Sequence, residues 1–287
     1  MKKFHLFLAL ITLVAFTSCD RIEDGAYSPK EKISKVYYED WDGEKKLNAI
    51  WNWDGKQLQS IEYYWNDEID YTEHYTYNKD GRIESVIDND YGETIQYEYD
   101  GKKLSKAQYY EEGYLGYEYD FVYDGKKISE IGLNVNVDYL DKMDSKNMRF
   151  DPLALILPQF DMAKVKKIAK KTNLSKDVTV RVPIKLEWDG DNVSKMSMVL
   201  TVEGFTVGVE MEYKYDDKIN PFKNILLLYP EESINFECSK NNATEITIKE
   251  IYGPETDSYT IFVAYTYDGK YPVSMDMGGE VSYYEYQ

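Results

Sequence analysis

Histidine is almost absent from this sequence. Its 287 residues include two histidines, His5 and His74, and only His74 lies beyond the N-terminal apolar segment. A single histidine excludes His-dependent triads, His-rich zinc sites and most pairs of nucleophile and base. The sequence also lacks a glycine-rich phosphate loop, a dinucleotide fingerprint and paired-cysteine metal spacing. We therefore expect no catalytic residues, no metal and no cofactor; a glycoside hydrolase stays open as an alternative, because it needs only two suitably spaced carboxylates.

Cysteine is nearly as scarce, with only Cys19 and Cys238. Residues 1–18 are typical of a signal peptide: two lysines precede an apolar core, Phe4–Phe16, that is too short for a permanent membrane span. Cys19 follows in a context similar to a bacterial lipobox, in which the cysteine is lipidated, although an ordinary secretory signal remains the alternative. Lipidation would leave Cys238 without a partner, which excludes a disulfide framework. We expect Cys238 to be a buried strand residue.

Basic side chains are too few to balance the acids. Lysine and arginine total 34 against 52 aspartates and glutamates, a net charge of −18, and loss of residues 1–18 would remove two more lysines. Nucleic acids and anionic lipid surfaces both require basic protein surface. We therefore expect no nucleic-acid partner, and contact with a membrane only through a lipid anchor.

Tyrosine, in contrast, is abundant, with 29 residues, and it marks a repeat. The clearest copy, Tyr97–Ala107, has aromatics at alternate positions, an Asp-Gly turn and a second strand. Asp-Gly suits a tight reversal, since glycine tolerates positive φ and aspartate bonds its own backbone. Turns recur every 20 to 27 residues over much of the chain, which predicts one hairpin per repeat. The other copies begin at Trp51, Tyr75, Phe121, Leu186, Tyr213 and Tyr265.

An apolar pair with a spacing of three follows most of these turns. Residues three apart on a regular strand lie on opposite faces. We therefore predict a β-bulge just after each turn, which lets both residues reach the core and curves the sheet. The pairs are Leu58/Ile61, Ile83/Val86, Leu104/Ala107, Ile128/Ile131 and Val193/Met196.

The predicted fold is all-β: an antiparallel hairpin meander over residues 33–287, curled into a barrel or a strongly curved sheet. Residues 19–32 form a polar tether before it. Residues 138–177 separate two turns by 65 residues and predict a short helical insert. Its lysines either offset the acidic body or form a docking face; the candidate docking residues are Lys164, Lys167 and Lys171.

The longer strands alternate between apolar and polar residues, as in Val178–Trp188. The apolar set faces inward in a soluble barrel and outward in a membrane barrel, and the alternation alone does not distinguish them. We favour the soluble form, since a lipid anchor would be redundant on an integral barrel. Pro183 predicts an edge strand or a bulge.

The Tyr-x-Tyr-Asp-Gly-Lys hairpins resemble degenerate tyrosine–aspartate (YD/RHS-like) repeats. Together with the lipobox, the block Tyr215–Phe222 and the block Tyr267–Val273, they resemble a family of uncharacterised bacterial lipoproteins described as porin-like β-barrels. The resemblance covers residues 33–287. It implies a meandering, highly curved antiparallel sheet, and it brings no functional residues.

Binding is the function that the composition favours. Four of the five tryptophans lie in the first quarter of the chain, and aromatic faces beside acidic acceptors suit sugar rings. The candidate ligand-binding residues are Trp51, Trp53, Tyr63, Tyr64 and Trp65. The alternative is that these rings fill the core.

We predict a non-catalytic module tethered at the cell envelope, on either face of the outer membrane, that binds a glycan or a peptide. An interaction subunit that docks on an outer-membrane complex is the alternative. A glycan or an envelope protein is therefore the expected partner, and the oligomeric state is left open.

Overall fold

A computed structural model describes residue 27 and residues 29–136, 179–202, 205–223 and 238–287. These residues form sixteen β-strands and no helix. None of them belongs to a helix long and apolar enough to cross a membrane. The strands are β1 (Ile33–Glu39), β2 (Lys45–Asp54), β3 (Gln57–Trp65), β4 (Glu68–Tyr77), β5 (Ile83–Asp88), β6 (Glu93–Asp100), β7 (Lys103–Glu111), β8 (Tyr114–Asp124), β9 (Lys127–Asn136), β10 (Thr179–Asp189), β11 (Asn192–Val202), β12 (Phe205–Tyr215), β13 (Ala243–Tyr252), β14 (Glu255–Asp268), β15 (Tyr271–Met277) and β16 (Glu280–Tyr286).

The strands form one closed antiparallel barrel in chain order. β1 closes it by pairing with β16, where Ile33 lies opposite Tyr286, and the Gln287 amide donates to the Lys32 carbonyl at 2.9 Å. The prediction of an all-β hairpin meander is confirmed, and of its two forms the barrel is the one present. The predicted signal peptide, Cys19 and the helical insert at 138–177 lie outside the described residues.

The predicted bulges are present. In the β6–β7 hairpin, Glu98 lies opposite Lys106 and Tyr99 lies opposite Leu104, so that Ser105 is the extra residue. Leu104 and its partner at a spacing of three, Ala107, are both buried, as are the other predicted pairs. The same register shift recurs after Asn52, Thr76, Val122, Glu187, Lys214 and Thr266.

The apolar face of the wall points into the barrel. Its buried residues form a single cluster that runs from Ile33 on β1 to Val263 on β14. Only the interior of a closed barrel brings strands from its whole circumference into one cluster. Leu58, Ile131 and Ile184, which are completely buried, illustrate how well this face is filled.

The opposite, outward face is charged. Arg181 on β10 contacts Asp120 on β8 and Glu130 on β9, both at 2.7 Å. Glu210 on β12 lies 3.3 Å from Lys195 and from Lys249. The outer face of these described strands therefore carries paired charges that link neighbouring strands.

The two ends of the barrel differ, and we name them for their contents. The turn end carries the turns of the tyrosine-rich repeats, such as Asp100-Gly101, together with Lys32 before β1 and Gln287 after β16. The rim end carries the alternate connections, which include the β3–β4 and β5–β6 turns. A tether before β1 therefore leaves from the turn end.

The structure describes two further residues singled out in the sequence, Cys238 and Pro183. Cys238 is buried, at 4% exposed, as predicted, but it lies in a turn before β13 and the prediction of a strand at this position is wrong. Pro183 pairs with Gly132 on β9, whereas β10 and β11 pair only from Ile184 onward. Pro183 thus lies on a locally open edge, because proline cannot donate to a ladder on that side.

Candidate functional site

In most repeats, the aromatic residue before the turn donates a hydrogen bond to the preceding hairpin; we call this series of bonds the aromatic ladder. The Tyr123 hydroxyl donates at 3.0 Å to the carbonyl of Leu104, the residue just before the bulge of the preceding hairpin. The distances for the matching bonds are 2.7 to 2.8 Å. They run from Trp53 to Ile33, Tyr77 to Leu58, Tyr99 to Ile83, Trp188 to Ile128, Tyr215 to Val193 and Tyr286 to Pro272.

A cation covers many of these rings. Lys103 Nζ lies 4.8 Å from the centroid of Tyr123 and donates to the Gly125 carbonyl in the next turn at 2.6 Å. Cation–π contacts of this kind stabilise by about 0.5–1 kcal/mol at exposed sites. The same pattern joins Lys32 to Trp53 and Gly55, Arg82 to Tyr99 and Gly101, and Lys127 to Trp188 and Gly190.

Two of the candidate ligand-binding residues, Trp51 and Trp53, have structural contacts at the turn end. Trp51 is 7% exposed and packs edge-on against Tyr27 and Phe222, at centroid distances of 6.0 and 6.5 Å. Trp53 donates its indole N–H to Ile33 and lies beneath Lys32. Both rings therefore stabilise the turn end, and Trp51 offers little surface to a ligand.

Tyr267, which precedes the Asp268-Gly269 turn, bonds to a side chain and not to a backbone carbonyl. Its hydroxyl donates to the Asp216 carboxylate, which also accepts from the backbone amides of Lys218 and Asn242. Buried Ser239 adds a bond to the Tyr215 hydroxyl at 2.9 Å. These hydrogen bonds link the two ends of the β12–β13 connection, because Asp216 follows β12 and Asn242 precedes β13.

The rim end carries exposed aromatic rings on successive connections. Trp41 is 95% exposed in the β1–β2 turn, Trp65 is 64% exposed at the end of β3, and Tyr114 is 61% exposed at the start of β8. Tyr91, in the β5–β6 turn between them, is also exposed. We call these four residues the aromatic rim. Neighbouring hairpins are two strands apart, about 10 Å, so the rings form a row along one arc of the mouth.

Packing beneath the rim holds Tyr91 in place. Its ring stands edge-on to Tyr71 at 5.8 Å, and Tyr71 stacks on Tyr63 at 4.3 Å and 11°. The Tyr91 hydroxyl lies 3.5 Å from Asp70 Oδ1. Desolvation, and then the charge of Asp70, raise the pKa of Tyr91, so its hydroxyl remains a donor. The rim thus presents a ring whose orientation is fixed before any ligand arrives.

Acidic turns surround the rim. Asp88 is buried and accepts from the amides of Asp90 and Tyr91 at 2.8 and 3.2 Å, and burial raises its pKa. Oxygen atoms of Asp40, Asp42 and Glu44 come within 4.8 Å of one another in the β1–β2 turn. Asp40 Oδ1 accepts from the Glu44 amide at 2.9 Å, which is ordinary turn chemistry.

A groove of about 820 Å³ lies at the turn end, where the chain enters and leaves the barrel. Tyr271 and Tyr286, with centroids 5.7 Å apart, form part of its wall. Its charged lining residues are two lysines and three acids: Lys30, Lys270, Glu31, Asp268 and Glu285. Its position beside Gln287 puts it on the tether side, opposite the aromatic rim.

The structure separates the five candidate ligand-binding residues. Trp51 and Trp53 belong to the turn end, whereas Tyr63, Tyr64 and Trp65 run toward the rim. Tyr63 is part of the supporting stack, and Tyr64 donates to Glu62 at 3.0 Å. Trp65 is the one with a widely exposed ring. The candidate docking residues Lys164, Lys167 and Lys171 lie outside the described residues.

Sequence reasoning missed Tyr91 and Tyr114 as rim residues. Both lie at connections of the rim end, and these connections share no sequence motif. The aromatic ladder did have a signal: the residue before each turn is always tyrosine or tryptophan, never phenylalanine. A ring that must donate a hydrogen bond explains this restriction.

No protein-family model matches the chain, and a search of curated proteins finds no match. Among solved structures, a porin-like protein from Bacteroides uniformis ATCC 8492 is 11% identical over 92% of this chain and 100% of its own, with a TM-score of 0.48. A porin-like protein from Bacteroides vulgatus ATCC 8482 is 9% identical over 90% of this chain and 99% of its own, with a TM-score of 0.31. At these values neither likeness bears on activity, and the fold rests on the closed barrel itself.

Proposed function

We propose that the protein is a non-catalytic glycan-binding module that uses the aromatic rim. The observation that carries this proposal is the row of exposed Trp65, Tyr91 and Tyr114 on adjacent hairpins. Aromatic rings in this setting offer flat apolar faces, and carboxylates such as Asp70 beside them offer acceptors for sugar hydroxyls. Concave sites with a few fixed polar groups are typical of ligand binding.

The positions of the two barrel ends support a tether that leaves the rim accessible. The chain enters at the turn end, where Tyr27 packs against Trp51 and donates to the Pro221 carbonyl at 2.9 Å. The rim lies at the opposite end. Lipidation at Cys19 would therefore anchor the turn end at the outer membrane and direct the rim away from it. A Cys19→Ser variant should leave the membrane fraction and retain its fold.

The test of the binding function is a glycan-array screen of the mature full-length chain, followed by tryptophan fluorescence titration of each hit. We expect a saturable hit that loses at least tenfold in affinity, about 1.4 kcal/mol, in Trp65→Ala and in Tyr114→Ala. Phe262→Ala is the matched control, since Phe262 is 68% exposed on β14 and outside the rim. An array without hits, or hits that all three variants retain equally, would contradict the proposal.

A further inference from the structure

β14 extends beyond its neighbour on one side. It pairs with β13 over Glu255–Phe262, but with β15 only from Val263 onward, opposite Met277. No described strand pairs with the other side of Glu255–Phe262. These eight residues correspond to an edge about 27 Å long, at roughly 3.4 Å per residue.

Solvent reaches both faces of this segment. Seven of the eight residues are exposed, and Ile261 is the exception. Phe262 and Tyr259 are among the exposed large apolar residues. An exposed strand edge presents unpaired N–H and C=O groups that can template another strand.

The hairpin geometry shows which backbone groups face the open side. The β13–β14 loop contains two residues, and Tyr252 lies opposite Glu255. In such a hairpin the residues next to the loop bond to each other, and the inward and outward directions then alternate. The residues whose backbone groups point away from β13 are therefore Thr256, Ser258, Thr260 and Phe262.

One hydrogen bond agrees with this assignment. The Ser258 amide donates to Oδ1 of Asp257 at 2.8 Å, rather than to a strand. The Asp257 carboxylate thus occupies the amide that an added strand would need. Asp257 also lies opposite Glu250 in the register, and like charges directly opposite each other are destabilising.

These charges determine the chemistry of the partner. A strand that pairs with Ser258 must displace the Asp257 carboxylate, and a cationic side chain gives that carboxylate a new partner. The same cation reduces the repulsion between Asp257 and Glu250. Glu255 lies on the same face of β14 as Asp257 and adds a further negative charge there. A second copy of this chain would instead bring two acidic edges together.

We propose that the β14 edge, Glu255–Phe262, binds an extended segment of another protein by β-strand addition, and that this segment carries lysine or arginine at alternate positions. Its backbone pairs with Thr256, Ser258 and Thr260. Its cations lie beside Asp257 and Glu255. Main-chain bonds supply affinity and the alternate side chains supply specificity, as in other strand additions. This site is independent of the glycan-binding rim.

The experiment uses the mature full-length chain and a labelled peptide of eight residues that alternates threonine and lysine. Fluorescence anisotropy gives its dissociation constant, and hydrogen exchange locates it. We expect saturable binding and slowed exchange at the Ser258 and Thr260 amides. A peptide in which glutamate replaces lysine should bind at least tenfold more weakly.

Three variants separate backbone pairing from charge. Ser258→Pro removes an amide that β13 does not use, and we expect it to abolish binding, whereas Ser258→Ala keeps the amide and should bind normally. Asp257→Asn combined with Glu255→Gln should weaken the lysine peptide at least tenfold while leaving the backbone edge intact.

Three results would overturn the proposal. The first is peptide binding without protection of the β14 amides. The second is equal binding by Ser258→Pro and the parent protein. The third is protection of Glu255–Phe262 that increases with protein concentration in the absence of peptide, because it would identify a second copy as the occupant.

Discussion

The hydroxyl of Tyr123 on β8 donates to the carbonyl of Leu104 on β7, one strand earlier in the barrel and at the bulge of the preceding hairpin. Leu104 directly precedes the extra residue of that bulge, Ser105. Because Lys103 lies over the same ring and reaches the Gly125 carbonyl, three consecutive features of the repeat are coupled. The repeat motif thus encodes contacts between hairpins as well as a turn within each one.

Tyr123→Phe should lower the free energy of unfolding by about 1 kcal/mol, since it removes one hydrogen bond and leaves the Leu104 carbonyl without its donor. Chemical denaturation in urea measures the change. Tyr38→Phe is the control, because the Tyr38 hydroxyl forms no hydrogen bond with any residue that the structure describes. Equal effects of the two substitutions would show that the ladder does not stabilise the fold.

Alkaline pH should destabilise the barrel. Burial raises the pKa of Tyr77 to about 12, against about 10 in an unfolded chain. The folded state therefore holds the proton more tightly, and this stabilisation is complete below pH 10 and lost as the pH rises toward 12. Urea unfolding at a series of pH values should show stability falling over this interval.

Tyr77→Phe provides the matched test of that interval. Phenylalanine does not ionise, so the variant should lose less stability between pH 10 and 12 than the parent protein does. The variant is expected to be less stable at pH 7, because the bond to the Leu58 carbonyl is lost. Parallel pH profiles for the two proteins would contradict the assignment to Tyr77.

Arg181→Gln should weaken the outer wall where three strands meet. Burial raises the pKa of Asp120, but hydrogen bonds from Arg181 and Asn134 outweigh this effect and hold it below its usual value. Stability from this carboxylate is present above pH 4 and is lost as the pH falls through the lowered pKa. The variant should therefore be less stable at pH 7 and less sensitive to acid.

Lys214→Gln is the control for Arg181→Gln, since Lys214 forms one exposed ion pair with Glu245, and such pairs contribute about 0–1 kcal/mol. Denaturation at pH 7 and pH 3 measures both variants. If Arg181→Gln left the difference in stability between pH 7 and pH 3 unchanged, Arg181 would not stabilise the ionised carboxylate of Asp120.

Gly208→Ala and Gly101→Ala should destabilise the protein to different extents. At Gly208 on β12, a methyl group would overlap the Met198 carbonyl and Val199 Cα across the sheet. At Gly101 the methyl group would meet nothing within 4 Å, and only the φ of +59° is unfavourable. We expect about 1 kcal/mol for Gly101→Ala and a larger loss for Gly208→Ala, measured by thermal unfolding. The reverse order would be inconsistent with the packing of β11 against β12.

The sequence determined the hairpins. Asp-Gly turns at a regular spacing, with alternating aromatics before them, allow few other local structures, and the pairs at a spacing of three, such as Leu104 and Ala107, required the bulges. These features depend on contacts close in the chain. The burial of Cys238 was predicted too, but its place in a turn and not in a strand was not.

Tertiary structure alone decided which aromatics are exposed. Trp53 and Trp65 occupy the two ends of neighbouring strands; Trp53 bonds to Ile33, twenty residues away, and Trp65 reaches solvent. The choice between a barrel and an open curved sheet likewise depended on the pairing of β1 with β16, the most distant strands in the chain. The open edge at Glu255–Phe262 arises because β14 extends beyond the end of β15. Local periodicity specifies the strands, but partners far apart in the chain determine what each surface can bind.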